Sequence, residues 1–305
     1  MASNELEVLD PAATVEKLRK IGTGRALNRR NFMAALGMTG AAAGAGLLSG
    51  CTATTVSVAT SGPGEPDVLN FALNLEYLEA TFYSYITQGA DLPASATVGS
   101  GLVTGIPSAK LTFTGTAAAQ ITDMLNEIYF DELNHVLDLR SLLGNYAVPR
   151  PAINLAAAGA VTATNALSIA RQFEDVGATA YAGALALLTS TNLSYAAQIL
   201  GVEGFHAGAL RLVSIQNPTI AAYAQADSLD VKPFDPGTAV AARSGPTANG
   251  AFFATGGGTT PLTAGFAYTR TTSQVLQIVY ATPGATGQTK GGFFPNGVNG
   301  LIAST

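Results

Sequence analysis

The chain has 305 residues, 48% hydrophobic and only 11% charged, with 34 Gly, 14 Pro and no Trp. This balance fits a globular domain with a sizeable core plus Gly-rich irregular segments, and a single Cys excludes an internal disulfide framework or a Cys-based metal cluster. The formal charge of −5, with no basic stripe to neutralise phosphates, argues against nucleic acid as a partner.

In chain order, the first notable stretch is "ALNRRNFMAALGMTGAAAGAGLLSGC", residues 26–51, where Arg29 and Arg30 precede an uncharged run. The run 31–50 is long enough to consider as a membrane span, but its Gly and Ala content makes it only mildly hydrophobic. That suits a signal segment over residues 1–50 better than a permanent anchor. The pattern resembles a twin-arginine export signal, and "LSGC" at 48–51 resembles a bacterial lipobox with Cys51 as the lipidated residue. Export to the periplasm or cell envelope follows as an expectation, with membrane contact only through the signal segment or a lipid on Cys51. An ordinary cleavage site nearby, or an uncleaved anchor, is the alternative.

Residues 51–65 read as a small-residue linker, and Pro66 directly after it suits a helix start. The spacing predicts a first helix over about 67–88, with Leu69, Leu73, Glu76, Ala80 and Tyr83 on one face. A long Gly/Ser/Thr/Pro loop follows over 90–115. A second helix is predicted over about 116–143, where Gly144 is placed to cap it. After a second long connection, 145–163, come a third helix over about 164–188 and a fourth over about 193–216, with Pro218 just beyond. The bundle domain is thus set at 66–225. The remainder, 226–305, has no sustained period and reads as an irregular extension packed on the bundle, with one short helix near 270–281 and aromatics in "GGFFPNGVNG" that pin the tail.

A duplication runs through the four helices. "EYLEATFY" at 76–83 and "EDVGATAY" at 174–181 share Glu-x-x-x-Ala-Thr-x-Tyr, while 132–140 and 203–211 share Glu-x-x-His-x-x-x-Leu-Arg. The only two histidines of the chain, His135 and His206, therefore each lie three residues after a Glu, on the same helix face. Solvated helix faces would be the plain explanation, but Leu125, Ile128 and Leu139 share the Glu132 face, and Ile199, Leu210 and Val213 share that of Glu203. Turned inward, the faces gather Glu76, Glu132, Glu174 and Glu203 with both imidazoles. Four bare buried carboxylates would cost on the order of several kcal/mol each; two divalent cations would cancel their charge. Oxygen and imidazole donors without thiolates suit iron or manganese.

At this point the chain resembles the ferritin-like di-iron and di-manganese carboxylate superfamily over about residues 66–216. The export signal, "LNFALNLEYLEATFY" and "GGFFPNGVNG" look more narrowly like bacterial ferritin-like domain proteins related to plant desiccation-related proteins. The resemblance implies an all-α fold, a four-helix bundle with a long crossover between helices two and three. It implies Glu76 and Glu174 as terminal ligands, Glu132 and Glu203 as bridges between two metal ions, and His135 and His206 completing the two spheres. Tyr83 and Tyr181 would hydrogen-bond ligand carboxylates across the bundle. Glu79, one turn from Glu76, is a rival ligand; the repeat favours Glu76, since Gly177 occupies the position matching Glu79, which leaves Glu79 as an extra or shifting ligand. Glu127, Asp131 and Asp138 are expected to face solvent or loops, and Arg140 and Arg211 to pair with acidic groups near the bundle end.

Three functions fit. One is an oxidase, ferroxidase or peroxide-removing protein acting on O2 or peroxide. The others are a metal-stabilised structural or stress protein, and a cell-surface binding module with the bundle as scaffold. Fold resemblance does not choose among them.

Overall fold

The structure, a computed structural model, describes residues 63–97, 99–217 and 269–305. Arg29, Arg30, Cys51, the linker up to residue 62 and the 226–268 part of the extension lie outside the described residues. Helix α1 spans Glu65–Thr87. Pro66 fits its first turn, where no intrahelical partner awaits an amide, and Asp67 Oδ2 accepts the Gly64 N–H at 2.8 Å. Helix α2 spans Ala118–Leu143 and ends at Gly144, whose φ is +55°. Helix α3, Ala166–Ala184, tightens into a 3-10 turn at Leu185–Leu187 before α4, Ser190–Gln216. The extension contributes α5, Thr272–Val279, opened by a reciprocal cap in which Thr271 Oγ1 accepts from Gln274 N and Gln274 Oε1 accepts from Thr271 N. No described helix is long and apolar enough to cross a membrane.

The main packing pairs are α1 with α2 and α3 with α4. Their directions follow from side-chain contacts. Gln88, at the end of α1, bonds Asn126 early in α2, while Glu76 reaches His135 later in α2, so these helices run antiparallel. Tyr83 bonds Glu174 and Tyr181 bonds Glu76, which makes α1 antiparallel to α3 as well. Helices α2 and α3 are then parallel, and the chain from 144 to 165 must cross the bundle lengthwise.

That crossover is stitched to the α1–α2 loop by a two-residue parallel pair the sequence had not announced. Strand β1, Val103–Thr104, pairs with β2, Ile153–Asn154. The loop backbone presses close here: a Cβ on Gly101 would overlap the Pro151–Ala152 backbone, so only glycine fits. Buried Arg150 ties the same region to Asp91 at 2.5 and 2.9 Å.

The tail closes over α1 and the crossover. Asn299 and Asn74 exchange two hydrogen bonds of 2.8 and 2.9 Å across the sequence, and Phe293 O accepts from Asn154 N. Phe293 packs edge-on against Phe173 of α3 at 5.1 Å between ring centres, and Phe294 is fully buried. Helix α1, covered by loop, crossover and tail, is consequently buried on all sides from Val68 to Ser84 rather than along one stripe. Helix α2 keeps a clean seam of Ile121, Leu125, Ile128, Glu132, His135, Leu139 and Leu143. Glu132 and His135 occupy core positions of that seam.

Candidate metal centre

Each helix delivers its polar side chain from an otherwise apolar face. Glu76, Glu132, Glu174 and Glu203 are wholly buried, and His135 and His206 nearly so. The six converge. His135 Nδ1 lies 3.2 Å from Glu76 Oε2, 3.4 Å from Glu132 Oε2 and 3.8 Å from Glu203 Oε1. His206 Nδ1 lies 3.0 Å from Glu174 Oε2 and 3.0 Å from Glu132 Oε1. One ring hydrogen cannot serve both of those oxygens: Glu174 accepts it, and Glu132 Oε1 is left close by without a hydrogen bond. The imidazole centres stand 6.4 Å apart.

The donor atoms fall into two overlapping groups, each within 4.8 Å: Glu76, Glu132, His135 and Glu203, then Glu132, Glu174 and His206. Glu132 belongs to both, as a bridging carboxylate would. Glu203 belongs to the first alone, because its other oxygen is turned toward Gly177. The two tyrosines cross as expected: Tyr83 Oη donates to Glu174 Oε1 at 2.6 Å, and Tyr181 Oη donates to Glu76 Oε1. Burial and the adjoining carboxylates push both phenols well above their ordinary range, so they remain donors.

Protonation shows how the site is balanced. Burial alone would lower the His135 pKa, but Glu76 and Glu132 push it up to about 12; Glu132 and Glu174 likewise outweigh burial to hold His206 at about 11. Burial would raise Glu76, yet His135 and the hydrogen bond from Tyr181 bring it below its ordinary value. Glu132 rises to about 7 through burial and the charges of Glu76 and Glu174. Glu203 goes well above the carboxylate range, first by burial and then by the charges of Glu132, Glu174 and Glu76, and so does Glu79, by burial and then by Glu203 and Glu132. Glu79 is therefore part of the acidic ring, though in neither donor group.

Two expectations change. Asp131 does not simply face solvent: its Oδ2 lies 3.2 Å from His206 Nε2, the arrangement by which a carboxylate fixes the orientation of a ligand imidazole. Its position directly before Glu132 was the available signal, but the matching position before Glu203 is Val202, so the repeat did not mark it. Among the described residues nothing braces Nε2 of His135 in the same way. Arg140 donates to the Tyr77 hydroxyl rather than to an acid, whereas Arg211 does pair with an acid, Asp175, at 2.9 and 3.0 Å. Glu127 and Asp138 are exposed, as expected.

Does this donor set fit a divalent metal? Among the described residues, three buried carboxylate oxygens, Glu132 Oε1 and both of Glu203, have no hydrogen-bond partner. Buried acceptors without donors are rare in folded proteins. Here they sit among imidazole nitrogens, and among the described residues neither Lys nor Arg contacts them. A metal would supply the missing positive charge, and oxygen–nitrogen donors of this kind suit first-row divalent ions. The molecule is an all-α bundle whose interior carries a carboxylate–imidazole cluster compatible with divalent metal binding.

A ferritin-like domain model matches residues 64–216, about half of the chain, and the chain belongs to that family. No curated protein and no solved structure matches at a significant level.

Proposed function

We propose that this chain is an exported protein that holds two divalent ions, iron or manganese, bridged by carboxylates, and uses them in oxidase, ferroxidase or peroxide-removing chemistry that protects against stress. Glu76 and His135 would hold one ion, Glu174 and His206 the other, with Glu132 and Glu203 between them. The observation that carries the reading is that, among the described residues, three buried oxygens of the two central glutamates accept no hydrogen bond. Such a pair of ions supplies two electrons for reduction of O2 or peroxide. The chain's own residues do the rest: Tyr83 and Tyr181 orient the terminal carboxylates, Asp131 fixes the His206 ring, and the apolar seam keeps bulk water out.

The test is elemental analysis of the purified mature protein, followed by addition of O2 or H2O2 while absorbance and peroxide loss are recorded. Two ions that change oxidation state and turn over support the proposal. Two inert ions whose removal lowers thermal stability would establish instead a metal-stabilised structural protein of the desiccation-related kind. A folded protein without metal would leave a cell-surface binding module. Export is checked separately by fractionating cells that express Arg29→Lys/Arg30→Lys, and lipidation by mass spectrometry at Cys51.

A further inference from the structure

A cavity lies between α1, α3 and α5, beside the acidic ring. Its inner part is walled by buried Leu78, Phe173 and Val176, and its outer part by exposed Ala158 and half-buried Gln172 and Ile278. Apart from Gln172 at the mouth and Glu79 within, the lining offers no polar side chain. The room available to the centre of a water-sized sphere is about 30 Å³. One water needs roughly 10–15 Å³ on that measure, so the space suits a very small molecule.

Gly177 joins this cavity to the cluster. It forms part of the cavity wall, and a Cβ built on it would collide with Glu203 Oε2 and come within 3.2 Å of Glu79 Oε1. Only the Gly177 backbone therefore stands between the apolar space and Glu203, while Glu79 itself lines the space. In the other half of the repeat the matching position is Glu79 itself, so the gap exists on one side of the bundle and its acid fills it. Part of the lining, Ile278, Val279 and Phe293, comes from the C-terminal extension, so the cavity is built jointly by the bundle and the tail.

We propose that this cavity is the entry and holding site for dioxygen, reached past Ala158 and delivered at Glu79 and Gly177. The inference rests on the metal reading above and narrows it. Dioxygen needs no hydrogen bonds and loses little in an apolar space, whereas peroxide would forfeit its water partners there. The cavity thus favours O2 over peroxide as the oxidant that reaches the centre by this route.

The experiment is xenon pressurisation of crystals of the metal-loaded and the chelator-stripped protein, with a filled-cavity variant at Ile169, a buried residue of the lining, Ile169→Phe, and Ala158→Trp as a closed-mouth variant. Xenon is expected against Leu78, Phe173 and Val176 in both metal states, and is expected to vanish in Ile169→Phe. In stopped flow, reoxidation of the reduced iron protein by O2 should slow by about tenfold or more in either variant. The peroxide reaction and the metal content should hold. Because Ala158 is exposed, its variant tests the route even if Ile169→Phe does not fold. Absence of xenon in a protein that holds two ions would overturn this inference alone, as would unchanged O2 reaction in Ala158→Trp. Xenon in the cavity of a protein that takes up no metal would overturn the metal reading and dioxygen's role with it.

Discussion

Loading the centre with metal must expel protons, and the number can be worked from the site. Ligand imidazoles and carboxylates bind metal only in their deprotonated forms. At pH 7 the metal-free protein holds one proton too many on His135 and one on His206, whose pKa values are about 12 and 11. Glu203, pushed well up by burial and its carboxylate neighbours, holds another, and Glu132, near 7, holds about half of one. Binding of two ions should therefore release about three to four protons, and more if Glu79, itself held well above the carboxylate range, also gives one up. By linkage, each pH unit of acidification should weaken the combined affinity by roughly three to four decades, or about 5 kcal/mol over both ions. The assay is calorimetric titration of Mn²⁺ into chelator-stripped protein at pH 7, in buffers of different ionisation enthalpy. The slope of observed enthalpy against buffer enthalpy counts the protons. A slope of one or less would show that the six side chains do not form the mutually protonated cluster described.

Three further outcomes are expected. Tyr83→Phe and Tyr181→Phe each remove the donor that orients a terminal carboxylate, and competition with a chelator should show about 10- to 100-fold weaker metal binding with little change in fold. The melting temperature of the metal-free protein should fall as pH rises from 6.5 to 9, because His135 and His206 keep protons there that the unfolded chain has released above its ordinary imidazole pKa; the metal-loaded protein should show no such loss, and a scanning calorimetry series on both forms checks it. Asp175→Asn should cost about 3–5 kcal/mol in denaturant unfolding by removing the charge that buried Arg171 and Arg211 both meet, while metal stoichiometry holds, whereas Glu174→Gln should abolish one of the two ions in the same count.

The repeat made most of the site legible, because core position and ligand position coincide on α2 and α4. Glu132 and His135 interrupt a seam of Ile and Leu, and the sequence shows both the seam and the interruption. Asp131 escaped because it lies on the flank of that seam and in one half of the duplication only. Gly177 carries a role the repeat does not show, for a different reason. As a letter in the repeat it marks a missing ligand, whereas in space its missing side chain is what lets Glu79 and Glu203 approach. Helix ends shifted where local signals were weak: the apolar run 185–188 keeps helical spacing although the backbone has already tightened at Leu185–Leu187. The β1–β2 pair is two residues long, too short for alternation to show. For α1, one apolar face could be read from spacing, but burial on every side depends on a tail more than 200 residues away, through the Asn74–Asn299 exchange.

Neighbours on α3 supply an internal control for the metal argument. Asp175 and Glu174 are both buried acids, one residue apart, and they are neutralised differently. Asp175 is held by Arg171 at 2.5 Å and by Arg211, which shows that this bundle meets an ordinary buried carboxylate with guanidinium. Glu174 faces the other way, into a ring with Glu76, Glu79, Glu132 and Glu203, where five carboxyl groups meet two imidazoles and neither Arg nor Lys among the described residues touches them. Even with both imidazoles charged, protonation of several acids is needed for balance, and the raised Glu79, Glu132 and Glu203 are where those protons go. A fold selected only for stability would gain from replacing such acids by apolar residues, since buried ionic clusters rarely outcompete good packing. Their retention at both halves of a duplicated motif, beside an arginine-paired acid that shows the alternative solution, is the pattern expected when the missing cations come from outside the chain.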